Sequence, residues 1–144
     1  MIERMDNVGI VVDDLEAAIV FFVDLGLELE GQATVKGPLV DRLVGLNDVR
    51  SDVAMLRTPD GHSRIELSKF HTPEAVSAEP NPPVNRLGMG RIMFAVDDID
   101  AVVAGLRARG FGLIGEVVRY EDVYRLCYVR GPEGIVIALA EKLD

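Results

Sequence analysis

Asn7-Val8-Gly9-Ile10-Val11-Val12-Asp13-Asp14-Leu15 returns later in the chain as Arg91-Ile92-Met93-Phe94-Ala95-Val96-Asp97-Asp98-Ile99. The offset of 84 residues holds without a gap from Asn7–Gly31 to Arg91–Gly115, and seven of those 25 pairs are identical. The identities include Asp13/Asp97, Asp14/Asp98, Gly26/Gly110 and Gly31/Gly115, residue types that mark caps and turns. A second match pairs Pro59-Asp60-Gly61 with Pro132-Glu133-Gly134 at an offset of 73, so the first copy carries eleven extra residues, expected around Pro38–Ser51. The chain is therefore organised as an internal duplication.

Each copy predicts the same elements. A short apolar run, Val8–Val12 or Ile92–Val96, predicts a strand. A helix follows, because Leu15, Ala18, Ile19 and Phe22 fall at i, i+3, i+4, i+7, as do Ile99, Val102, Val103 and Leu106. Asp13 or Asp14 can cap the first helix and Asp97 or Asp98 the second, with Glu16 and Asp100 spaced for a capping box on Asp13 and Asp97. Gly26 and Gly110 stand where a left-handed residue stops each helix, and Arg107 and Arg109 suit the negative end of the second. Strands are expected at Leu27–Val35, Val53–Arg57 and Ser63–Phe70, and again at Gly112–Tyr120, Tyr124–Arg130 and Ile135–Glu141. Each copy thus reads β-α-β-β-β, over residues 1–70 and 88–144 of one domain, with the proline-rich stretch 71–87 as linker.

Composition narrows the function classes. The net charge of −9 argues against a nucleic-acid surface or an anionic membrane as partner. No run approaches the roughly 20 apolar residues of a membrane span, and the start MIERMDN lacks a signal core, which predicts a cytoplasmic protein. The single cysteine, Cys127, excludes an internal disulfide and thiolate clusters, and inside an apolar strand it reads as a buried, inert thiol. Only His62 and His71 are histidines, so a site of three histidines is impossible; His62 follows a turn, His71 lies past the expected strand end, and both read as surface residues. Gly88-Met89-Gly90 precedes a strand rather than a helix and lacks the setting of a phosphate loop.

The paired Val-Asp-Asp-Leu and Val-Asp-Asp-Ile segments, the Pro-Asp-Gly and Pro-Glu-Gly turns, Ile65-Glu66-Leu67 and Leu139-Ala140-Glu141 resemble the vicinal oxygen chelate (VOC) superfamily. That group contains glyoxalase I, methylmalonyl-CoA epimerase, extradiol dioxygenases, and fosfomycin- and bleomycin-resistance proteins. Asp41-Arg42-Leu43-Val44-Gly45-Leu46, followed by Ala54-Met55-Leu56, looks most like the epimerase-type branch. The resemblance implies an α+β fold in which two tandem βαβββ modules form a curved, incomplete barrel around a small-molecule cavity. It also implies homodimers and, in many members, a divalent metal that polarises a substrate carbonyl.

Carried over residue by residue, the family's ligand positions fall on Asn7, Glu66, Arg91 and Ala138. Glu66 is a competent ligand, Asn7 a weak neutral donor, Ala138 supplies nothing, and Arg91 brings a fixed positive charge. The standard metal site is therefore expected to be absent, with no cofactor. In its place Arg91 paired with Glu66 would floor the cavity and take a small, anionic organic ligand. Glu66 would be a balancing charge or a general base. A purely structural Glu66–Arg91 bridge is the plain alternative. The rival function is a metal-dependent lyase or isomerase of glyoxalase or epimerase type, or a dioxygenase, using Zn, Ni, Fe, Mn or Co on a non-standard ligand set. Whether the protein is an enzyme or a sequestering protein stays open at this point.

Other residues carry paired readings. Asn7 could hydrogen-bond ligand or steady Arg91, or be a polar residue at a strand start. Met5, Met55, Met89 and Met93 could line an adaptable pocket or fill the core. Tyr120, Tyr124 and Tyr128 are spaced by four; in a strand Tyr124 and Tyr128 share a face and could stack on a ligand ring, or occupy half-buried sheet positions. Asp41 and Arg42 lie in the insertion, as part of a lid or as surface charges.

Overall fold

Val8–Val11 forms β1 and is followed by helix α1, Leu15–Leu25, which starts where its apolar stripe begins and stops where Gly26 turns left-handed at φ 127°. The computed structural model describes residues 1–144. Next come β2 (Glu28–Lys36), a short helix α2 (Pro38–Val44), β3 (Arg50–Arg57) and β4 (Arg64–Thr72). The second copy gives β5 (Ile92–Val96), α3 (Ile99–Ala108), β6 (Val118–Tyr120), β7 (Tyr124–Arg130) and β8 (Val136–Lys142). The chain divides into two compact units, Met1–Ala78 and Glu79–Asp144. Each holds one open four-stranded mixed sheet, ordered β1-β4-β3-β2 in the first and β5-β8-β7-β6 in the second. The first strand of each pairs in parallel with the last, and the other pairings are antiparallel. The α+β class and the two tandem modules are those expected from the duplication.

In each unit the helix packs its apolar stripe on one sheet face. Ala18, Ile19, Phe21 and Phe22 of α1 are buried with Ala54, Leu56, Ile65 and Leu67 of β3 and β4. Ile99, Val103 and Leu106 of α3 are buried, as are Cys127, Val129, Ile137 and Leu139 of β7 and β8. Burying a side chain of this size contributes about 1.5–3 kcal/mol, so these faces are the main stabilising layer of each unit. Burial also pushes the Cys127 thiol up from its ordinary pKa, which suits an inert thiol. No helix is long and apolar enough to cross a membrane.

Several expected boundaries move. The caps are Asp14 and Asp98, whose carboxylates accept from Ala17 N and Ala101 N, each at 3.0 Å. Glu16 and Asp100 then stand one residue short of the capping-box position, and no box forms. Asp100 instead binds Arg125 of β7 through two bonds of 2.7 and 2.9 Å. The eleven-residue insertion contains α2, and Asp41 there forms no surface salt bridge: its carboxylate accepts from Asp48 N and Val49 N at 3.1 and 2.8 Å. The long strand expected at Gly112–Tyr120 shrinks to β6 plus one bridge, Leu113 to Val129. Gly112 and Gly115 weaken the segment, whose bonds to β7 stay local to residues 112–114 before β6. Finally, β4 continues through His71 and Thr72, two residues into the stretch expected as linker.

Candidate functional site

Strand register brings the sequence-selected residues of the second unit onto one face. Ala138 of β8 lies between Met93 of β5 and Tyr128 of β7. Because side chains alternate along a strand, this row faces away from buried Ile137, Leu139 and Val129. Arg91 stands just before β5, and its guanidinium carbon sits 5.0 Å from the centroid of the Tyr128 ring, over its face. The guanidinium makes no hydrogen bond or ion pair with the protein. Tyr128 is half-buried, whereas Arg91 and Met93 are exposed. Tyr124 shares the face of Tyr128 two strand repeats away and is exposed.

The first unit repeats this row with other side chains. Glu66 of β4 lies between Gly9 of β1 and Met55 of β3. Gly9 thus corresponds to Met93, Glu66 to Ala138 and Met55 to Tyr128, while the turns ahead of the last strands match one residue out of step. Glu66 and Met55 are half-buried on the face opposite Ala54, Leu56, Ile65 and Leu67. Space is open where Gly9 lacks a side chain, and the Glu66 carboxylate has no hydrogen-bond or ion-pair partner. Asn7 is exposed at the start of β1 and donates from Nδ2 to Asp6 Oδ2 at 3.3 Å. Met5 and Met89 are exposed, so neither fills a core as its hydropathy suggested.

A second feature of the first unit was not visible in the sequence. On the helix side of the sheet a cleft of about 740 Å³ opens beside the first turn of α1. It is lined by Thr34, Asp52, Lys69 and His71 together with Asp13 and Glu16. The register pairs Thr34 with Asp52 and Asp52 with Lys69, beyond the stretch that α1 covers. Thr34 Oγ1 donates to Asp52 Oδ1 at 2.6 Å, and His71 Nε2 lies 2.7 Å from Asp52 Oδ2. These two bonds, the Thr34 one foremost, hold the Asp52 carboxyl below its ordinary pKa. Lys69 Nζ lies 3.6 Å from Asp13 Oδ1. His71 is thus an element of β4 with a carboxylate partner, not a residue past the strand end. Its signal was the alternation Leu67, Lys69, His71, which the adjoining proline-rich stretch obscured.

Comparison with known proteins follows the fold. A model of the Glyoxalase/Bleomycin resistance protein/Dioxygenase superfamily matches residues 4–139. The chain belongs to this superfamily. A glyoxalase family protein from Bacillus cereus is 53% identical, with a TM-score of 0.96 over 100% of this chain and 97% of that one. The fold alone is shared with two more distant structures. A genomically encoded fosfomycin resistance protein from Listeria monocytogenes is 16% identical, with a TM-score of 0.66 over 96% of this chain and 93% of that one. A glyoxalase I mutant from Zea mays is 17% identical, with a TM-score of 0.71 over 98% of this chain and 46% of that one. No curated protein matches the chain.

Superfamily membership raises the question of a metal, and the donor set answers it chemically. Tetrahedral or octahedral sites draw on several carboxylates, imidazoles or thiolates. Here the second unit offers Arg91 and Ala138 at the corresponding positions, one a fixed cation and the other without a donor atom. No group of three or more His, Cys, Asp or Glu side chains gathers anywhere in the chain to hold an ion. Asn7, Glu66, Arg91 and Ala138, with one carboxylate among them and no imidazole or thiolate, do not make a divalent-metal ligand set.

Proposed function

We propose that this glyoxalase-superfamily protein binds a small organic anion without a metal, with Arg91 of the second unit as the handle for the negative charge and Glu66 of the first unit as a separate candidate polar group. The observation that carries the reading is the Arg91 guanidinium lying over Tyr128 with its donors unused by the protein. A guanidinium offers planar, paired N–H donors that match a carboxylate or an enolate. With alanine rather than glutamate at residue 138, the row Met93–Ala138–Tyr128 holds no carboxylate to compete for that charge. Glu66, beside the open space over Gly9, would balance charge or take a proton from a carbon made acidic by a neighbouring carbonyl. The latter role agrees with the resemblance of Asp41–Leu46 to the epimerase-type branch and would make the protein an isomerase or lyase. Without it the protein sequesters its ligand. A second copy of the chain is the expected partner, since each sheet leaves two strands with one unpaired edge.

A thermal-shift screen of small organic acids, run with and without divalent metals, selects a ligand. Arg91→Ala should then weaken that ligand about tenfold to a hundredfold, the loss of a charge-assisted bond worth about 1.5–3 kcal/mol. Unchanged affinity would overturn the handle. Glu66→Gln should abolish any turnover while leaving the Arg91 effect in place.

A further inference from the structure

We infer that Tyr128 is the positioning residue for Arg91, and that the site the two make selects the carboxylate of an apolar organic acid over inorganic phosphate. This rests on the anion-handle reading above and specifies its ligand.

The electron-rich ring face attracts the cation and takes up one side of the guanidinium, 5.0 Å from centroid to carbon. An arginine held this way loses less freedom when it meets a ligand than one waving in water. Its N–H donors lie in the guanidinium plane, at its edge, and none is engaged. A carboxylate meets that edge with two parallel bonds. The next row on this face, Met93, Ala138 and Tyr128, carries no charge, and Arg130, two strands from Arg91 in its own row, already donates from Nη1 to Pro82 O and Gly134 O. One guanidinium with free donors pairs with a monoanion and leaves a phosphate dianion with oxygens that no further free donor meets, on a chain whose net charge is −9. Met93 is 47% exposed and offers an adaptable apolar wall for the body of the acid.

The full chain is titrated with benzoate and, separately, with inorganic phosphate, following side-chain NMR signals of Arg91 and Tyr128. Benzoate should bind at least tenfold more tightly than phosphate. Tyr128→Leu should weaken benzoate about threefold to tenfold, and Tyr128→Phe, which keeps the ring, should restore it. In the wild-type chain, whatever the fate of the Leu variant, the Arg91 side-chain protons should show the upfield shift of a group above a ring and should move when benzoate is added. Equal binding by the Leu variant, phosphate binding as tight as benzoate, or unshifted Arg91 protons would overturn the inference. Arg91→Ala separates the two levels. If it abolishes benzoate binding while Tyr128→Leu has no effect, the positioning role fails and the handle stands; if it too has no effect, the handle itself fails.

Discussion

Gly134 turns the backbone at φ 80°, and a Cβ there would run into the Pro80 carbonyl oxygen. Arg130 closes the same corner, donating from Nη1 to Pro82 O at 2.8 Å and to Gly134 O at 3.2 Å. Gly134→Ala therefore meets both a disfavoured dihedral and a backbone obstacle, and should cost at least about 2 kcal/mol. Gly105 is the internal control. It lies inside α3 with open space around its Cα, so Gly105→Ala should stabilise by about 0.5–1 kcal/mol. Urea titration of both variants checks the pair, and similar effects would contradict this account of the corner. The Gly61 and Gly134 turns could be matched in the sequence, but the crowding at Gly134 could not, since Pro80 lies 54 residues away along the chain.

Between elements, charge pairs tie strands and helices together at the surface. Arg125 of β7 binds Asp100 of α3, Arg64 of β4 binds Glu30 of β2, and Thr34 and His71 hold Asp52 of β3. Each pairing keeps its carboxyl below the ordinary pKa, with Arg125, Arg64 and Thr34 as the respective leading causes. A carboxyl lowered in the folded state stabilises fully above its unfolded value, about 4, and that contribution is lost as pH falls through the lower folded value. The melting temperature should therefore fall on the acid side below about pH 4, and less steeply for Asp100→Asn than for wild type. Superimposable acid limbs would show that the Asp100 link carries no such dependence. The helices, their caps and their glycine stops were legible because they depend on residues three or four apart. β6 and the end of β4 were not, because strand ends are set by distant partners. Thr72 pairs with Arg50, and Leu113 finds only Val129.

The molecule as a whole is a duplication whose two copies differ on the sheet face away from each helix. The rows Gly9–Glu66–Met55 and Met93–Ala138–Tyr128 occupy equivalent places in the two sheets, yet no equivalent position keeps the same residue. The side chains at positions 7, 66, 91 and 138 can be read directly from the sequence as an amide, a carboxylate, a guanidinium and a methyl group. The contact of Arg91 with Tyr128 was not readable, since it joins residues 37 apart whose proximity depends on β8 lying between β5 and β7. The cleft around His71 was hidden for the same reason, being assembled from three strands and a helix start. In the proposed site a guanidinium stands where the resemblance places an ion in many relatives. Metal analysis of protein purified without chelator, and again after incubation with zinc, nickel, iron, manganese and cobalt, tests it most directly. Far less than one ion per chain in every case is the predicted result, with Arg91 still required for anion binding; one tightly held transition metal per chain, lost on Glu66→Gln, would contradict it.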